Sequence, residues 1–333
     1  MKPPRRQFLH LVVGAAALSA VSRFAWAQTM PQPKTGTRLI TLGTRGGPNP
    51  TVWRAQSSNV LIVNGSPYII DAGDGVTRRL TRAKVSFRDV DNIFITHPHS
   101  DHTGGLPSLM LMQYDAIRTK PVNVYGPPGT EAIIRGVLPF LDVNAEVRIS
   151  DGTRTIMSSK VFSGHDKEPG IIFQDSNLKV TAAENSHFHF EAGSPGYGRY
   201  KSYALRFDTA DRSIVFTGDT GPSEAISMLA KGADLLVSEV AAPLEEFKQR
   251  QMAIGRWQSM TPVQQEASIR HQIEEHVSPE QVGEMAARAG VKTVILTHLP
   301  ATADPKDEYA RYGDLVKKHF SGQVLIAKDL MEF

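Results

Sequence analysis

The 333-residue chain contains no cysteine, so disulfides and thiolate ligands are excluded and any bound metal must be held by histidine and carboxylate. Its formal charge of +3 comes from the N-terminus: Lys2, Arg5, Arg6 and Arg23 lie within the first 27 residues, which hold no acid, and the rest carries −1. That balance sets up no overall basic field to attract nucleic acid.

The chain opens on Arg5-Arg6-Gln7-Phe8-Leu9, which reads as a twin-arginine signal. An apolar stretch from Leu11 to Val21 follows, then an Ala25-Trp26-Ala27 cleavage site before Gln28. The stretch is too short to span a bilayer as a stable helix, and no later one is long and apolar enough to do so. The predicted layout is a signal peptide over 1–27, a short leader over 28–37 and one domain over 38–333. No linker, low-complexity tract or internal repeat divides that domain. The partner implied is the twin-arginine export machinery, the destination the periplasm, with no stable membrane anchor.

Short apolar runs then alternate with helical patterns. Strands are predicted at 38–42, 59–63, 67–71, 92–96, 122–125, 178–184, 203–208, 213–217, 234–239, 293–297 and 323–327. Helices are predicted at 76–84, 104–117, 128–140, 222–231, 243–255, 263–275, 279–289 and 306–319. Many strands with helices between them suggest sheets covered by helices. The helix after Ser278 carries the clearest signals. Ser278-Pro279-Glu280-Gln281 offers an N-cap, a first-turn proline and a capping glutamine; Val282, Met285, Ala286 and Ala289 share one face; Gly290 ends it. The polar segment 241–275 has weak apolar faces and reads either as a lid carrying Met252, Trp257 and Met260 or as a surface helical hairpin.

The chemistry concentrates at His97-Pro98-His99-Ser100-Asp101-His102, straight after the strand pattern Asn92-Ile93-Phe94-Ile95-Thr96. Imidazole suits zinc, and a carboxylate beside it suits a hydrolytic site. His97 and His99 point the same way in extended backbone, while Asp101 and His102 follow a turn and aim at a second point. The run reads as a site for two metals.

His97-X-His99-X-Asp101-His102 resembles the hallmark motif of the metallo-β-lactamase superfamily. Matches to its further motifs follow in family order over roughly residues 38–300. Asp71 resembles the family's structural aspartate, His187 its third histidine, Asp219 its bridging aspartate and His298 its last histidine. The resemblance implies an α/β fold, a four-layer αββα sandwich with the metal site at one edge between two sheets. It also implies two Zn2+ per chain: one held by His97, His99 and His187, the other by Asp101, His102 and His298, with Asp219 bridging. Hydroxide between the metals attacks the substrate, and Asp101 orients it. His189 competes with His187, whose position in the pattern is the better match. His10, His165, His271 and His319 read as ordinary polar residues.

His276 resembles a histidine before the same helix in the ribonuclease Z branch, where it serves the leaving group; Glu239 is placed to orient it. A capping or surface role is the structural alternative. Leu42-Gly43-Thr44-Arg45-Gly46-Gly47-Pro48 lacks the Gly-Lys-Ser/Thr of a nucleotide loop, and reads as a tight loop near the metal edge whose N–H groups or Arg45 meet an anionic substrate. Gly218-Asp219-Thr220-Gly221-Pro222-Ser223-Glu224 and Tyr125-Gly126-Pro127-Pro128-Gly129-Thr130 look like the ribonuclease Z/arylsulfatase-like branch. The implied activity is hydrolysis of a small anionic ester, an aryl or alkyl sulfate first. Phosphodiesterase and lactonase or β-lactamase are the alternatives, and a non-enzymatic binding protein is the rival of another class. No long arm for clamping tRNA is evident, so no nucleic-acid partner is expected. The sequence leaves the oligomeric state open.

Overall fold

Strands apolar on both faces need cover on both faces, and this governs the architecture of the computed structural model. It describes residues 36–301 and 309–333. The expected signal and nearly all of the leader lie outside the described residues.

The first sheet is built from β1 (Thr37–Gly43), β2 (Ser58–Val63), β3 (Ser66–Ala72), β4 (Asn92–Phe94), β5 (Val122–Gly126) and β6 (Phe162–Asp166). The second uses β7 (Gly170–Gln174), β8 (Leu178–Glu184), β9 (Tyr203–Thr209), β10 (Ser213–Phe216), β11 (Leu235–Ser238), β12 (Thr293–Leu296) and β13 (Gln323–Ile326). The C-terminal β14 (Met331–Glu332) returns to pair with β1, so the orders are β14-β1-β2-β3-β4-β5-β6 and β13-β12-β11-β10-β9-β8-β7. Each sheet is mixed. β1 to β3 are antiparallel and β3 to β6 parallel; β7 to β10 are antiparallel and β10 to β13 parallel. Asn64-Gly65 turns β2 into β3 with φ of 50° and 86°, the left-handed pair that a two-residue hairpin demands.

The period-2 alternation of side chains sorts these strands into three cores. Leu39, Leu61, Tyr68, Ile70 and Phe94 face Val180, Leu205, Phe207, Ile214 and Val237 between the sheets. The alternate residues Ile40, Val60, Ile69 and Ile93 pack outward on α1 (Val76–Arg82), α3 (Leu106–Asp115) and α4 (Thr130–Ser150) through Leu80, Leu109, Met110 and Ile134. On the other side Val215, Leu236 and Val294 meet α5 (Glu224–Leu229), α9 (Pro279–Ala289) and α10 (Ala310–Val316) through Ile226, Val282, Met285 and Tyr312. The fold is thus an αββα sandwich.

Helix α9 forms as its sequence predicts. Ser278 Oγ accepts from the Gln281 N–H at 3.3 Å, Gln281 Oε1 accepts from the Ser278 N–H at 2.8 Å, and Gly290 closes the helix at φ 64°. The segment 241–275 becomes α6 (Leu244–Ala253), α7 (Arg256–Ser259) and α8 (Pro262–Glu274), none of which has a buried residue. Among the described residues no helix is long and apolar enough to cross a membrane. Strands β6, β7 and β14 and the length of α4, which runs on past Pro139 to Ser150, were not predicted.

Because Ser278 Oγ satisfies the otherwise orphaned Gln281 N–H at the start of α9, Ser278→Ala should lower the unfolding free energy by about 1 kcal/mol. Urea unfolding reads this directly; an unchanged midpoint would show that packing alone holds the helix end.

Candidate metal centre

Strands β3, β4, β8, β10, β11 and β12 run in one direction, and their carboxyl ends deliver the chemistry to one edge. Asp71 ends β3. His97 and His99 follow β4, and Asp101 and His102 sit in the single turn α2 (Ser100–Thr103). His187 follows β8, Asp219 follows β10, Glu239 follows β11 and His298 follows β12. Asp71 and His298 adopt positive φ, 58° and 48°, which side chains other than glycine rarely take.

Three sets of side chains each bring their ligand atoms within 4.8 Å of one another: His97, His99, His187 and Asp219; Asp101, His102, Asp219 and His298; and Asp219, Glu239 and His276. Asp219 belongs to all three. Its carboxylate lies 3.2 Å from His102 Nε2, 3.2 Å from His298 Nε2 and 3.8 Å from His97 Nε2.

The hydrogen bonds fix which ring atoms face inward. His187 Nδ1 lies 2.8 Å from the carbonyl of Glu275, which only accepts, so Nδ1 carries the hydrogen. Burial holds the His187 and His97 imidazoles well below their usual pKa and so neutral. A lone pair on His187 Nε2 therefore points at His99 Nδ1, 3.2 Å away, and His97 Nε2 approaches the same atom at 3.1 Å. His102 Nδ1 lies 2.8 Å from Asp71 Oδ2, and Asp71 also accepts from the Thr96 N–H at 2.8 Å. That leaves His102 Nε2 facing Asp219. Both His102 Nε2 and Asp219 Oδ1 are buried without a hydrogen-bond partner among the described residues; the two lie 3.2 Å apart but are not aligned to bond.

Electrostatics tell the same story. Burial opposes charge on His298, yet Asp219 and Asp101 lift its pKa to about 10. Burial likewise opposes charge on His102 and on Asp219. Asp219 and Asp71 nonetheless raise His102 well above the usual range, and His298 and His102 hold Asp219 well below it. The carboxylates call for positive charge at a point where imidazole lone pairs converge. A divalent metal satisfies both demands, so the residues present fit the expected ions.

The structure leaves His189 exposed and outside these sets. His165 bonds Asn123 instead, and His319 is exposed; His10 lies outside the described residues. Glu239 is buried, with Oε2 2.8 Å from His276 Nδ1. Burial opposes the charged form of His276, but the Glu239 carboxylate raises its pKa above the usual value. Two residues were missed. His271 of α8 brings its Nε2 within 3.2 Å of His276 Nε2 and its Nδ1 within 2.7 Å of Glu275 Oε2. The i, i+4 pair His271/Glu275 just before His276 was the available signal. Asn185 donates to the carbonyls of Thr217 and Asp219 at 2.8 and 2.9 Å, tying the end of β8 to that of β10.

Asp71 holds the ring of His102 through Nδ1 and belongs to none of the three ligand sets. Asp71→Ala should weaken divalent-metal binding about 10–100-fold, the usual cost of losing a partner that orients a ligand. Competition with a chromogenic chelator measures this, and unchanged affinity would remove Asp71 from that role.

The model of the "Beta-lactamase superfamily domain" family matches residues 67–299. A protein named ribonuclease Z from Mycobacterium sp. (strain KMS) is 27% identical over 294 residues, 87% of this chain and 94% of its own. The metallo-beta-lactamase fold protein YhfI from Bacillus subtilis superposes with a TM-score of 0.62 at 19% identity, covering 89% of this chain and 98% of its own. Zn(2+)-bound PqqB from Methylobacterium extorquens does so with 0.59 at 14%, covering 89% and 99%. With a family match over most of its length and a His/Asp cluster suited to a divalent metal, this chain belongs to the metallo-β-lactamase superfamily of metal-dependent hydrolases.

Proposed function

We propose that this chain is an exported dizinc hydrolase of phosphodiesters. The observation that carries the reading is the pairing of His276 with Glu239 beside Asp219, which sets a proton donor against the metal ligands. Relatives named ribonuclease Z, matched over nearly their whole length, support phosphorus as the reacting centre. They also weigh against the sequence expectation of a sulfate ester and of no nucleic-acid partner, so oligoribonucleotides enter the substrate class beside small diesters.

His97, His99 and His187 would hold one zinc, Asp101, His102 and His298 the second, and Asp219 both. Two such ions supply Lewis acidity and a water ionised near neutral pH. Asp101 orients the attacking oxygen. His276 gives its proton to the departing oxygen, and Glu239 keeps the imidazole both oriented and protonated. Because the Glu239 carboxylate raises the pKa of His276, its acid form persists to higher pH than that of an ordinary imidazole and is lost as pH climbs past the raised value. Glu239→Gln should therefore move the alkaline limb of the rate profile to lower pH.

The test uses metal-loaded protein on a panel of phosphodiesters, a short oligoribonucleotide, an aryl sulfate, a lactone and a cephalosporin. Diester turnover is expected. His276→Ala should lose roughly a hundredfold or more on alkoxide leaving groups, little on 4-nitrophenolate, and no metal. Turnover of the sulfate with none of the diesters would return the reading to a sulfatase, and equal loss across leaving groups would exclude proton donation.

Export rests on Arg5-Arg6 and the Ala25-Trp26-Ala27 site. The periplasmic chain should begin at Gln28, and lysine at both arginines should block its appearance there. Unimpaired export of that variant, read by fractionation, overturns the assignment.

A further inference from the structure

Arg45 sits in the glycine-rich segment after β1 and is only 7% exposed. Its backbone is pinned on both sides. It forms bridges to Gln56 and Leu299; its N–H donates to Ala55 O and the next N–H, of Gly46, to Leu299 O, each at 2.9 Å. Its guanidinium has five N–H donors, yet the structure gives it a single bond, Nη1 to Leu299 O at 3.5 Å, and Nε is buried without a partner. Among the described residues no carboxylate lies within ion-pair distance of it. Arg118, about equally buried at 9%, shows what a structural arginine looks like in this chain: it donates to Asp91 and to the carbonyls of Lys120, Arg88 and Pro121.

A buried guanidinium left this poorly bonded is costly to the fold, and the cost is explained when the missing partner is a ligand. Its position agrees. Gly47, two residues on, donates its N–H to Asp101 Oδ2 at 2.8 Å and approaches His298 Nε2 at 3.3 Å. A Cβ on Gly47 would stand 3.7 Å from Arg45 Nη1, an ordinary contact distance that places the guanidinium beside the residue touching the metal cluster. Burial lowers the pKa of Arg45, and Arg250 adds repulsion against the attraction of Tyr309 and Asp101.

We propose that Arg45 binds a second, non-reacting oxyanion of the substrate, beside the half of the cluster formed by Asp101, His102 and His298. This deepens the phosphodiester reading: it favours diesters that carry another phosphate-type group next to the scissile one. Planar guanidinium is suited to such tetrahedral oxyanions.

The test measures binding rather than turnover, so it stands even if the phosphodiester reading fails. Inorganic sulfate, a tetrahedral oxyanion that leaves zinc in solution, is titrated calorimetrically into the metal-loaded mature protein and into Arg45→Met and Arg45→Lys. Metal content and melting temperature are read in parallel. Arg45→Met should bind sulfate about tenfold more weakly or worse, as expected for a lost charged hydrogen bond. Arg45→Lys should keep most of the affinity, and the methionine variant should melt no lower than the parent. Sulfate affinity within about twofold of the parent would overturn the proposal. So would a methionine variant that loses metal, melts lower or fails to fold, because each outcome makes Arg45 part of the scaffold.

Discussion

A carboxylate 3% exposed, Asp219, stands where the two sheets meet at their carboxyl ends, and the rest of the site is arranged around its charge. Burying an ionised carboxylate is unfavourable unless cations or donors surround it. Among the described residues no lysine or arginine pairs with it. The chain supplies imidazoles from beyond the ends of β4, β8 and β12, and the surrounding hydrogen bonds turn His187 and His102 so that Nε2 of each faces into the cluster. His187 is turned by a backbone carbonyl and His102 by Asp71. Such an arrangement is poor as an ion-pair network and good as a ligand set. The positive φ at Asp71 and His298 fits that account, since strained backbone persists where the surroundings over-determine it.

Much of this was legible in the sequence because several of the ligands stand just beyond an apolar run. Asn92-Ile93-Phe94-Ile95 before His97, Ile214-Val215-Phe216 before Asp219 and Val294-Ile295-Leu296 before His298 are strands buried on both faces, and a strand's end is the simplest feature to read from such a run. What the residues alone did not show is that the strands make two sheets rather than one. The sorting of Ile69 and Ile93 to one core and of Tyr68, Ile70 and Phe94 to another depends on partners far apart in the chain. The family resemblance supplied that; periodicity could not.

The parts that escaped the sequence reading share a physical reason. β6 and β7 are edge strands, Phe162-Ser-Gly-His-Asp and Gly-Ile-Ile-Phe-Gln, with little buried side chain to impose a pattern. Helix α4 continues through Pro139, whose missing N–H costs a bond that the burial of Leu141 and Ala145 beyond it offsets. His271 was passed over because α8 has no buried face, so nothing in its periodicity says what it lies against. Its approach to His276 comes from polar ties across the insertion, Gln272 to the carbonyl of Ala242 and Arg250 to that of Ala301. An element held by such ties and not by a core belongs to the low-stability end of a structure, where substrate-gating segments are drawn from.

The metal ligands and the features that choose a substrate therefore obey different constraints. The ligands are locked by close approach: a Cβ at Gly46 would sit 2.4 Å from the carbonyl of His298, and one at Gly73 2.2 Å from that of Asp101. Neither glycine can gain a side chain without moving a segment that carries a ligand, so specificity cannot evolve through the backbone there. It is left to side chains that reach the cluster from outside it: His276 with Glu239 and His271 on one side, and Arg45 from the loop that touches Asp101 and His298. The cluster sets what can be hydrolysed in general, a bond whose transition state gathers negative charge. In the roles proposed for them, His276 as proton donor and Arg45 as a buried, under-bonded cation would together narrow this to substrates that both need a protonated leaving group and carry an extra anion.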